Sequence, residues 1–287
     1  MPRDKPFFHV PWLPPPKHNC AADGELSGKL NVTITAKTPL HFGAGQLSYD
    51  ESASLFVNRL NREDKQIALP GSGFKGMLRS VFEALSESCM PTDRSSRCLY
   101  VNQMCSTCAI FGLLGSKGKL RFSSFFAQGE TMQLTLPQLY SHPASVNQRR
   151  FYRHSTAWRQ IADQARGKRY ECLPPGAVLE GCVTYQNLTE DQLGGLLFAL
   201  GLGWGEPIFQ KLGYAKPAYL GSVQLTVAQE SMNASLLSSQ QELDLEQLAA
   251  AYYEKHKPRI SEVVDTLGTA WNKIGGENDW NMQTLTY

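Results

Sequence analysis

Residues 70–88 read PGSGFKGMLRSVFEALSES, and this stretch predicts the helix around which the rest of the fold is organised. Its large apolar side chains recur every three or four positions, which is typical of one buried face of a helix over 73–88. These side chains are Phe74, Met77, Leu78, Val81 and Leu85. Ser72 precedes the helix and is expected to cap it. Lys75 and Arg79 lie four positions apart, so they share a different face of the same helix.

Strand-like segments lie on both sides of this helix. Each is rich in β-branched or alternating apolar residues; they are KLNVTITAK (29–37), KLRFSSFFA (119–127), GAVLEGCVTY (176–185) and SVQLTVAQ (222–229). Thr189 and Gln192 resemble a capping box that opens a second helix between the last two strands. The order strand, helix, strand, insertion, strand, helix, glycine loop, strand predicts an α+β, ferredoxin-like (RRM-like) core.

The remaining segments predict an arm, two insertions and a tail. The boundaries are an extended N-terminal arm over 1–28, the ferredoxin-like domain over 29–229, an irregular cysteine-rich insertion over 89–118, a basic and aromatic insertion over 141–170, and a helical tail over 230–287. Four large apolar side chains between positions 7 and 13 favour an arm that docks on a neighbouring molecule, with a floppy tail as the alternative. Pro258 is expected to break the tail into two helices.

Composition limits the classes of function. The chain has 287 residues with 42% hydrophobic content, which is enough for a substantial core. Its formal net charge of +2 means that any contact with nucleic acid must come from local basic clusters. No segment has the pattern of a secretory signal or a membrane span, so we expect a cytoplasmic protein without membrane contact. No P-loop, dinucleotide fingerprint, H-E-x-x-H or G-x-S-x-G motif is present in the sequence.

Four of the seven cysteines lie close together in the sequence. Cys89, Cys98, Cys105 and Cys108 have the spacing C-x8-C-x6-C-x2-C, which suits a tetrahedral zinc site. Four protein ligands leave no open coordination position, so this zinc is expected to be structural. The alternative is a set of buried or free thiols. The other three cysteines are isolated and are expected to be core or surface thiols.

Two glycine-rich stretches suit contact with phosphate. Backbone N–H groups at the start of the 73–88 helix favour an anion, together with the helix dipole. The loop over 201–216 contains four glycines that allow close approach of a ligand, and Lys211 and Lys216 add positive charge. We expect the stretches beside Lys75 and Lys211 to converge into one cradle for a polyanionic strand.

Three motifs together resemble one known family. They are PGSGFKGMLR (70–79), CSTCAIFG (105–112) and GEPIFQKLGYAKPAYLG (205–221), and in this order they are similar to the RAMP superfamily, which forms the backbone of type III CRISPR effector complexes. The resemblance runs from about residue 30 to residue 228, and QRRFYRH (148–154) also resembles a run found in some members. It implies a Cas-seven-like backbone subunit for antiviral defence, with guide CRISPR RNA, target RNA and other subunits as partners.

The resemblance also implies where RNA is bound. The candidate contacts are Ser72, Lys75, Arg79, Arg149, Arg150, Arg153, Lys211 and Lys216. The 141–170 insertion is expected to act as the family's thumb, which wedges into the guide–target duplex. Arg169 would add a phosphate contact there, and Phe151, Tyr152 and Trp158 would stack on bases. The alternative is a surface hairpin packed on its own aromatic side chains.

Members of the family cut target RNA with an acidic residue on the loop after the first strand. In this chain the candidate is Asp50, with Glu51 second and His41 as an assisting group, and Mg²⁺ would support attack by the ribose 2′-hydroxyl. The loop differs from the family's usual surroundings of the acidic residue. Three alternatives therefore stay open: a non-catalytic RNA-binding subunit, a guide-RNA-processing endoribonuclease, and a zinc-stabilised adaptor without an RNA role.

Overall fold

The computed structural model describes residues 6–13, 22–47, 55–57, 66–89, 97–98, 103–139, 148–164, 167–229 and 243–276. The strands are β1 (Phe7–Pro11), β2 (Leu26–Ala36), β3 (Gly43–Leu47), β4 (Leu55–Val57), β5 (Ile67–Leu69), β6 (Gly112–Leu113), β7 (Ser116–Lys117), β8 (Leu120–Phe122), β9 (Phe125–Ala127), β10 (Met132–Leu136), β11 (Gln148–Tyr152), β12 (Lys168–Cys172), β13 (Val178–Leu188), β14 (Phe209–Lys211) and β15 (Ser222–Gln229). The helices are α1 (Gly71–Ala84), α2 (Ser106–Phe111), α3 (Trp158–Gln164), α4 (Glu190–Leu200) and α5 (Leu245–Trp271).

An antiparallel sheet forms the centre of the fold. Its strand order is β14-β15-β2-β13-β9-β5, and β8 also pairs with β13. In β2, alternate side chains from Leu30 to Ala36 are buried, so one face of the sheet lies against the helices. Helix α1 follows β5, and α4 connects β13 to β15. The predicted mixed α+β class is confirmed.

Helix α4 lies at the centre of the helical layer. The predicted capping box is present, because Thr189 accepts from the backbone N–H of Gln192 while the Gln192 side chain accepts from the backbone N–H of Thr189. Two glycines let α5 pack closely on α4. A Cβ on Gly194 would lie 2.6 Å from the carbonyl oxygen of Leu248, so a larger residue there would push the helices apart.

The start of α1 differs from the sequence prediction. The helix begins at Gly71 with Pro70 as its N-cap, so Ser72 lies inside the first turn and its side chain caps nothing. Proline suits this position because its φ is already helical and its missing N–H needs no partner. Gly71 is required there, since a Cβ would lie 2.5 Å from the carbonyl oxygen of Ser123.

The segment predicted as one strand over 119–127 forms two, β8 and β9. The ladder is interrupted at Ser123, whose hydroxyl accepts the backbone N–H of Cys182 at 2.8 Å. A side chain that takes the place of a backbone partner shifts the register on either side of it. Both short strands still pair with β13, so the segment belongs to the central sheet although it forms two strands and not one.

The predicted break at Pro258 is wrong, because α5 continues through it from Leu245 to Trp271. A proline inside a helix costs about 3 kcal/mol. Buried side chains lie on both sides of it; they are Ala249, Tyr252, Ile260, Val263, Leu267 and Trp271. Burying each large one contributes roughly 1.5–3 kcal/mol, so packing exceeds the cost of the proline.

The N-terminal arm and the 141–170 insertion pack within the chain. Strand β1 pairs with β11, with Phe8 opposite Phe151, so this part of the arm does not need a neighbouring molecule as its partner. The sequence expectation of docking elsewhere is therefore wrong for β1. Trp158 and Ile161 of α3 join a second hydrophobic cluster that includes Tyr219. No helix in the ranges given above is long and apolar enough to cross a membrane.

Candidate functional site

A cavity of about 490 Å³ lies where α1, β11 and the loop after β14 meet. Its lining residues are Phe42, Gly43, Leu69, Pro70, Ser72, Gly73, Gly76, Met77, Ser80, Val81, Arg150, Phe151, Tyr152, Lys211, Leu212, Gly213, Lys216 and Trp271. Three of these are basic, and none of the described lining residues is acidic. The cavity therefore attracts anions.

Helix α1 presents its N-terminal end to the cavity. Ser72, Gly73 and Gly76 lie on this face and are exposed. The first turn carries no acidic residue and no side-chain cap, so the positive end of the helix dipole is not neutralised by the helix's own residues. A Cβ on Gly76 would meet nothing within 4 Å, so the space above this position is open.

The opposite wall is the loop that contains Lys211 and Lys216. Gly213 has φ +81°, and a Cβ there would lie 2.3 Å from the carbonyl oxygen of His41, so glycine is required for the turn. The ammonium of Lys211 donates to the carbonyl oxygens of Tyr219 and Leu220, both at 3.0 Å, and to Ser222 Oγ at 2.9 Å. All three contacts lie within the protein, so no N–H of Lys211 is left for a ligand.

Burial lowers the pKa of both lysines. For Lys211 the pKa lies well below its usual range, with a further lowering from the charge of Lys216. The pKa of Lys216 is lowered by burial, and among the described residues no carboxylate pairs with its ammonium. An anion in the cavity would oppose this lowering, because a nearby negative charge favours the charged form of each lysine.

Strand β11 supplies the third wall, and its arginines lie over aromatic rings of the arm. The guanidinium of Arg150, which lines the cavity, lies 4.9 Å from the ring centre of Phe7. Arg153 lies 5.6 Å from the ring centre of Phe8. These cation–π contacts help to hold two of the predicted RNA contacts in place.

Arg149 occupies a different environment. Its guanidinium donates to Glu83 at 2.5 Å and to the carbonyl oxygen of Ser80 at 2.6 Å, and it also lies 4.5 Å from the ring centre of Trp12. The side chain is only 8% exposed. A phosphate would reach it only by displacing Glu83, so Arg149 serves to attach β11 to α1.

Lys75 and Arg79 do not line the cavity. They line a separate groove together with Lys117 and Arg121. Arg79 donates to Glu83 at 2.9 Å, to the carbonyl oxygen of Gly112 at 3.0 Å, and approaches Cys108 Sγ at 3.6 Å. Its side chain therefore links α1 to the cysteine-rich segment, and the predicted cradle is formed beside Lys211 without Lys75.

The four predicted cysteine ligands come together. Their Sγ atoms all lie within 4.8 Å of one another, so Cys89, Cys98, Cys105 and Cys108 can hold a metal ion. Cys105 N-caps α2, which brings the backbone N–H of Cys108 to its sulfur. The segment expected to be irregular thus contains a short helix, followed by a tight hairpin of β6 and β7.

The sulfurs compete for protons. Hydrogen bonds from Cys105 and Cys108 lower the pKa of Cys89. Hydrogen bonds to Cys105 and Cys89, followed by burial, raise the pKa of Cys108. Four thiolates at this separation repel one another, so full ionisation requires a bound cation, and Arg79 supplies only part of that charge.

Of the three candidate catalytic residues, the structure describes only His41. Asp50 and Glu51 lie outside the described residues. His41 is buried between Tyr170 and Tyr214, and its Nδ1 lies 2.7 Å from the carbonyl oxygen of Glu171. Burial lowers the pKa of His41, which favours the neutral ring.

The aromatic and basic residues of the 141–170 insertion lie in different environments. Tyr152 and Phe151 line the cavity, whereas Trp158 is buried in the second hydrophobic cluster. Arg169 is exposed on β12.

Two residues of these sites were not found from the sequence. The first is Glu83, although its spacing of four from Arg79 is typical of an ion pair. The second is Trp271, which reaches the cavity from a helix with no local motif.

Comparison with known proteins supplies a family match. A family model described as the RAMP superfamily matches residues 33–205, which is more than half of the chain. A solved structure described as "Type IV-B CRISPR Complex" is 20% identical, with a TM-score of 0.40, over 76% of this chain and 96% of the other. Another, "Cryo-EM structure of the Type III-B Cmr-beta bound to cognate target RNA", is 13% identical, with a TM-score of 0.45, over 71% and 60%. The comparison with curated proteins gives no match.

Proposed function

The chain belongs to the RAMP superfamily, and from this premise we propose that it is a guide-RNA-binding backbone subunit of a type III CRISPR effector complex. The observation that carries the proposal is the cavity, in which the open end of α1 faces Lys211 and Lys216 with no described acidic residue in the lining. Two of the three walls of the cavity, α1 and the segment with Lys211 and Lys216, belong to motifs that resemble the family. Its expected partners are guide CRISPR RNA, target RNA and the neighbouring subunits.

The chemistry of the cavity suits a nucleotide strand. The N-terminal end of a helix favours phosphate through its N–H groups and its dipole, and Arg150 and Lys216 are basic side chains in the same lining. Tyr152 lines the same space and is only half-buried, so its ring could stack on a base. The contacts are to backbone and ring faces, so recognition of sequence is left to base pairing by the guide.

A substitution at one position tests whether the cavity binds RNA. Gly76→Glu adds a carboxylate to its open face without a steric clash, and we expect it to weaken binding of a fluorescein-labelled single-stranded RNA by tenfold or more at low salt, an effect of roughly 1.4 kcal/mol or above. Gly76→Gln is the matched control, since it has the same size without the charge. The measurement is fluorescence anisotropy on the purified full chain. Equal affinities for the two variants would contradict the proposed function.

The core and insertions fit the same proposal. The four strands β15-β2-β13-β9, connected through α1 and α4, have the order expected of a ferredoxin-like fold, which supports that assignment for 29–229. The 141–170 insertion is proposed as the thumb, because β11 projects Arg150 and Tyr152 into the cavity. The helical tail, with α5, is proposed as a support for α4.

We propose structural zinc for the cysteine site. Four thiolates at the tetrahedral Zn–S distance of about 2.3 Å would place their sulfurs about 3.8 Å apart. The Cys89 and Cys108 sulfurs are 3.7 Å apart, close to this value and too far for a disulfide. Small apolar residues around the site, such as Met104 and Ala109, form only a minor cluster, so a metal would contribute to the stability of this segment.

Cleavage of target RNA by Asp50 with Mg²⁺ stays a prediction. The substitution Asp50→Ala in the assembled complex separates a catalytic subunit from a structural one. Loss of target cleavage with unchanged guide binding would assign catalysis to Asp50. Unchanged cleavage would assign the chain to the non-catalytic class, and cutting of unprocessed repeat RNA by the purified chain alone would assign it to guide processing.

A further inference from the structure

A second basic groove, of about 400 Å³, lies beside α1 and is lined by residues of this helix that do not line the cavity. One side is α1 itself, with Lys75 and Arg79. The other side is the β6–β7 hairpin and the start of β8, with Lys117 and Arg121. Lys75 and Arg79 belong to the first of the three family motifs, whereas Lys117 and Arg121 lie outside all three.

The hairpin wall is held rigidly. Gly112 has φ +90°, and a Cβ there would lie 2.6 Å from the backbone nitrogen of Gly118, so the turn closes tightly. Arg79 donates to the carbonyl oxygen of Gly112, which fixes the hairpin to α1. The hairpin follows directly on α2, whose Cys108 belongs to the metal-ligand cluster. The two walls are therefore positioned by the same contacts that form the cysteine site.

The four cations of this groove have few acidic neighbours among the described residues. The Arg121 guanidinium donates to the carbonyl oxygens of Gly118 and Leu120, which orients the group but leaves its charge in place. No described lining residue is acidic, and only Arg79 has a carboxylate partner, Glu83. Burial lowers the pKa of Lys75, and the charges of Arg79 and Arg121 lower it further, as expected for crowded cations.

We propose that this groove binds a second stretch of RNA phosphodiester backbone, with Lys117 and Arg121 as its contacts. The inference rests on the proposed function, since it extends the RNA contact of the cavity to a second site beside α1. An RNA strand carries one negative charge per phosphate, which suits a groove lined by cations and by no described acidic residue. RNA is favoured over an acidic protein segment because residues of α1 line both the groove and the cavity, so the groove continues the proposed RNA-binding surface.

The test compares two double variants of the full chain. Lys117→Ala with Arg121→Ala removes two exposed cations of the groove. Lys255→Ala with Lys257→Ala is the matched control; it removes the same charge from α5, where both lysines pair with carboxylates and line neither site. The probe is a labelled single-stranded RNA of about 30 nucleotides and mixed sequence, measured by anisotropy over a salt series.

We expect the groove variant to bind on the order of tenfold more weakly at low salt, and its slope of log affinity against log salt to fall by about 1.4, which corresponds to two lost phosphate contacts. The control should stay within about twofold of the wild type. A groove variant with the wild-type affinity and slope would overturn the inference and leave an acidic protein segment as the candidate ligand. If Gly76→Glu weakens binding in that case, the proposed function survives; if neither variant does, both fail.

Discussion

Replacing Glu83 by alanine lowers the free energy of unfolding by about 3–5 kcal/mol, the usual cost of leaving a buried charge without its partner. The Glu83 carboxylate is only 11% exposed and accepts from Arg149 at 2.5 Å and from Arg79 at 2.9 Å. Without it, the Arg149 guanidinium stays buried with the neutral acceptors of Ser80 and the ring of Trp12, and with no carboxylate among the described residues. Arg79 is more exposed, so its loss of a partner costs less.

Urea denaturation followed by circular dichroism measures this loss. Glu87→Ala is the matched control, because Glu87 lies just beyond α1 and pairs with Arg259, whose side chain is 43% exposed; we expect a loss below about 1 kcal/mol there. The double variant Glu83→Ala with Arg149→Met should recover part of the stability, since no buried charge is then left alone. A Glu83→Ala chain as stable as the Glu87→Ala chain would show that this ion pair contributes little.

The same carboxylate connects the two sites on α1 that we propose to bind RNA. Glu83 bonds Arg149 of β11 and Arg79, which in turn holds the hairpin at Gly112. Both the cavity wall and the groove wall are therefore fixed to one point on α1. We infer that Glu83→Ala would also weaken RNA binding, through displacement of Arg150 beside Arg149, even though Glu83 itself repels phosphate.

Local patterns in the sequence predicted the elements whose determinants are local. The capping box at Thr189 and the strand over 222–229 need only neighbouring residues to specify them, and both are present as expected. The four cysteines were also found from spacing, because a tetrahedral set of ligands restricts where they can lie in sequence.

Long-range packing decided the features that the sequence did not predict. Pro258 looks like a helix break until α5 is seen packed along α4, where burial exceeds its cost. The arm looked free to dock elsewhere, but β1 pairs with a segment about 140 residues away in sequence. Lys75 and Ser72 are three residues apart on one helix, yet they line different sites, since the walls opposite them come from distant loops.

Loss of one cysteine ligand is expected to have the second large effect. Cys105→Ser should release the metal and lower the free energy of unfolding by more than about 4 kcal/mol, as loss of a structural metal usually does. Cys105 is buried, caps α2 through its sulfur, and lies within 4.8 Å of the other three ligands. A serine hydroxyl keeps the cap but is a poor ligand for zinc, so the variant removes coordination more than shape.

The measurement combines metal content with stability. Elemental analysis of the purified wild type should give one zinc per chain, and Cys182→Ser should keep it, because Cys182 lies on β13 away from the cluster. A chelator should lower the melting temperature of the wild type and of Cys182→Ser, but not that of Cys105→Ser. Adding zinc, but not Mg²⁺, should restore the melting temperature of the chelator-treated wild type. Wild-type protein without bound metal would contradict the prediction.

The metal site also connects stability to RNA binding. Helix α2 starts at the cysteine cluster and ends at Gly112, where the hairpin with Lys117 begins. Releasing the metal should therefore displace the groove wall while the cavity, whose lining contains no cysteine ligand, keeps its shape. We expect Cys105→Ser to reduce the salt slope of RNA binding as the groove variant does, and Gly76→Glu to weaken the remaining affinity further. If Cys105→Ser instead removed all RNA binding, the metal would support the whole fold rather than one wall of the groove.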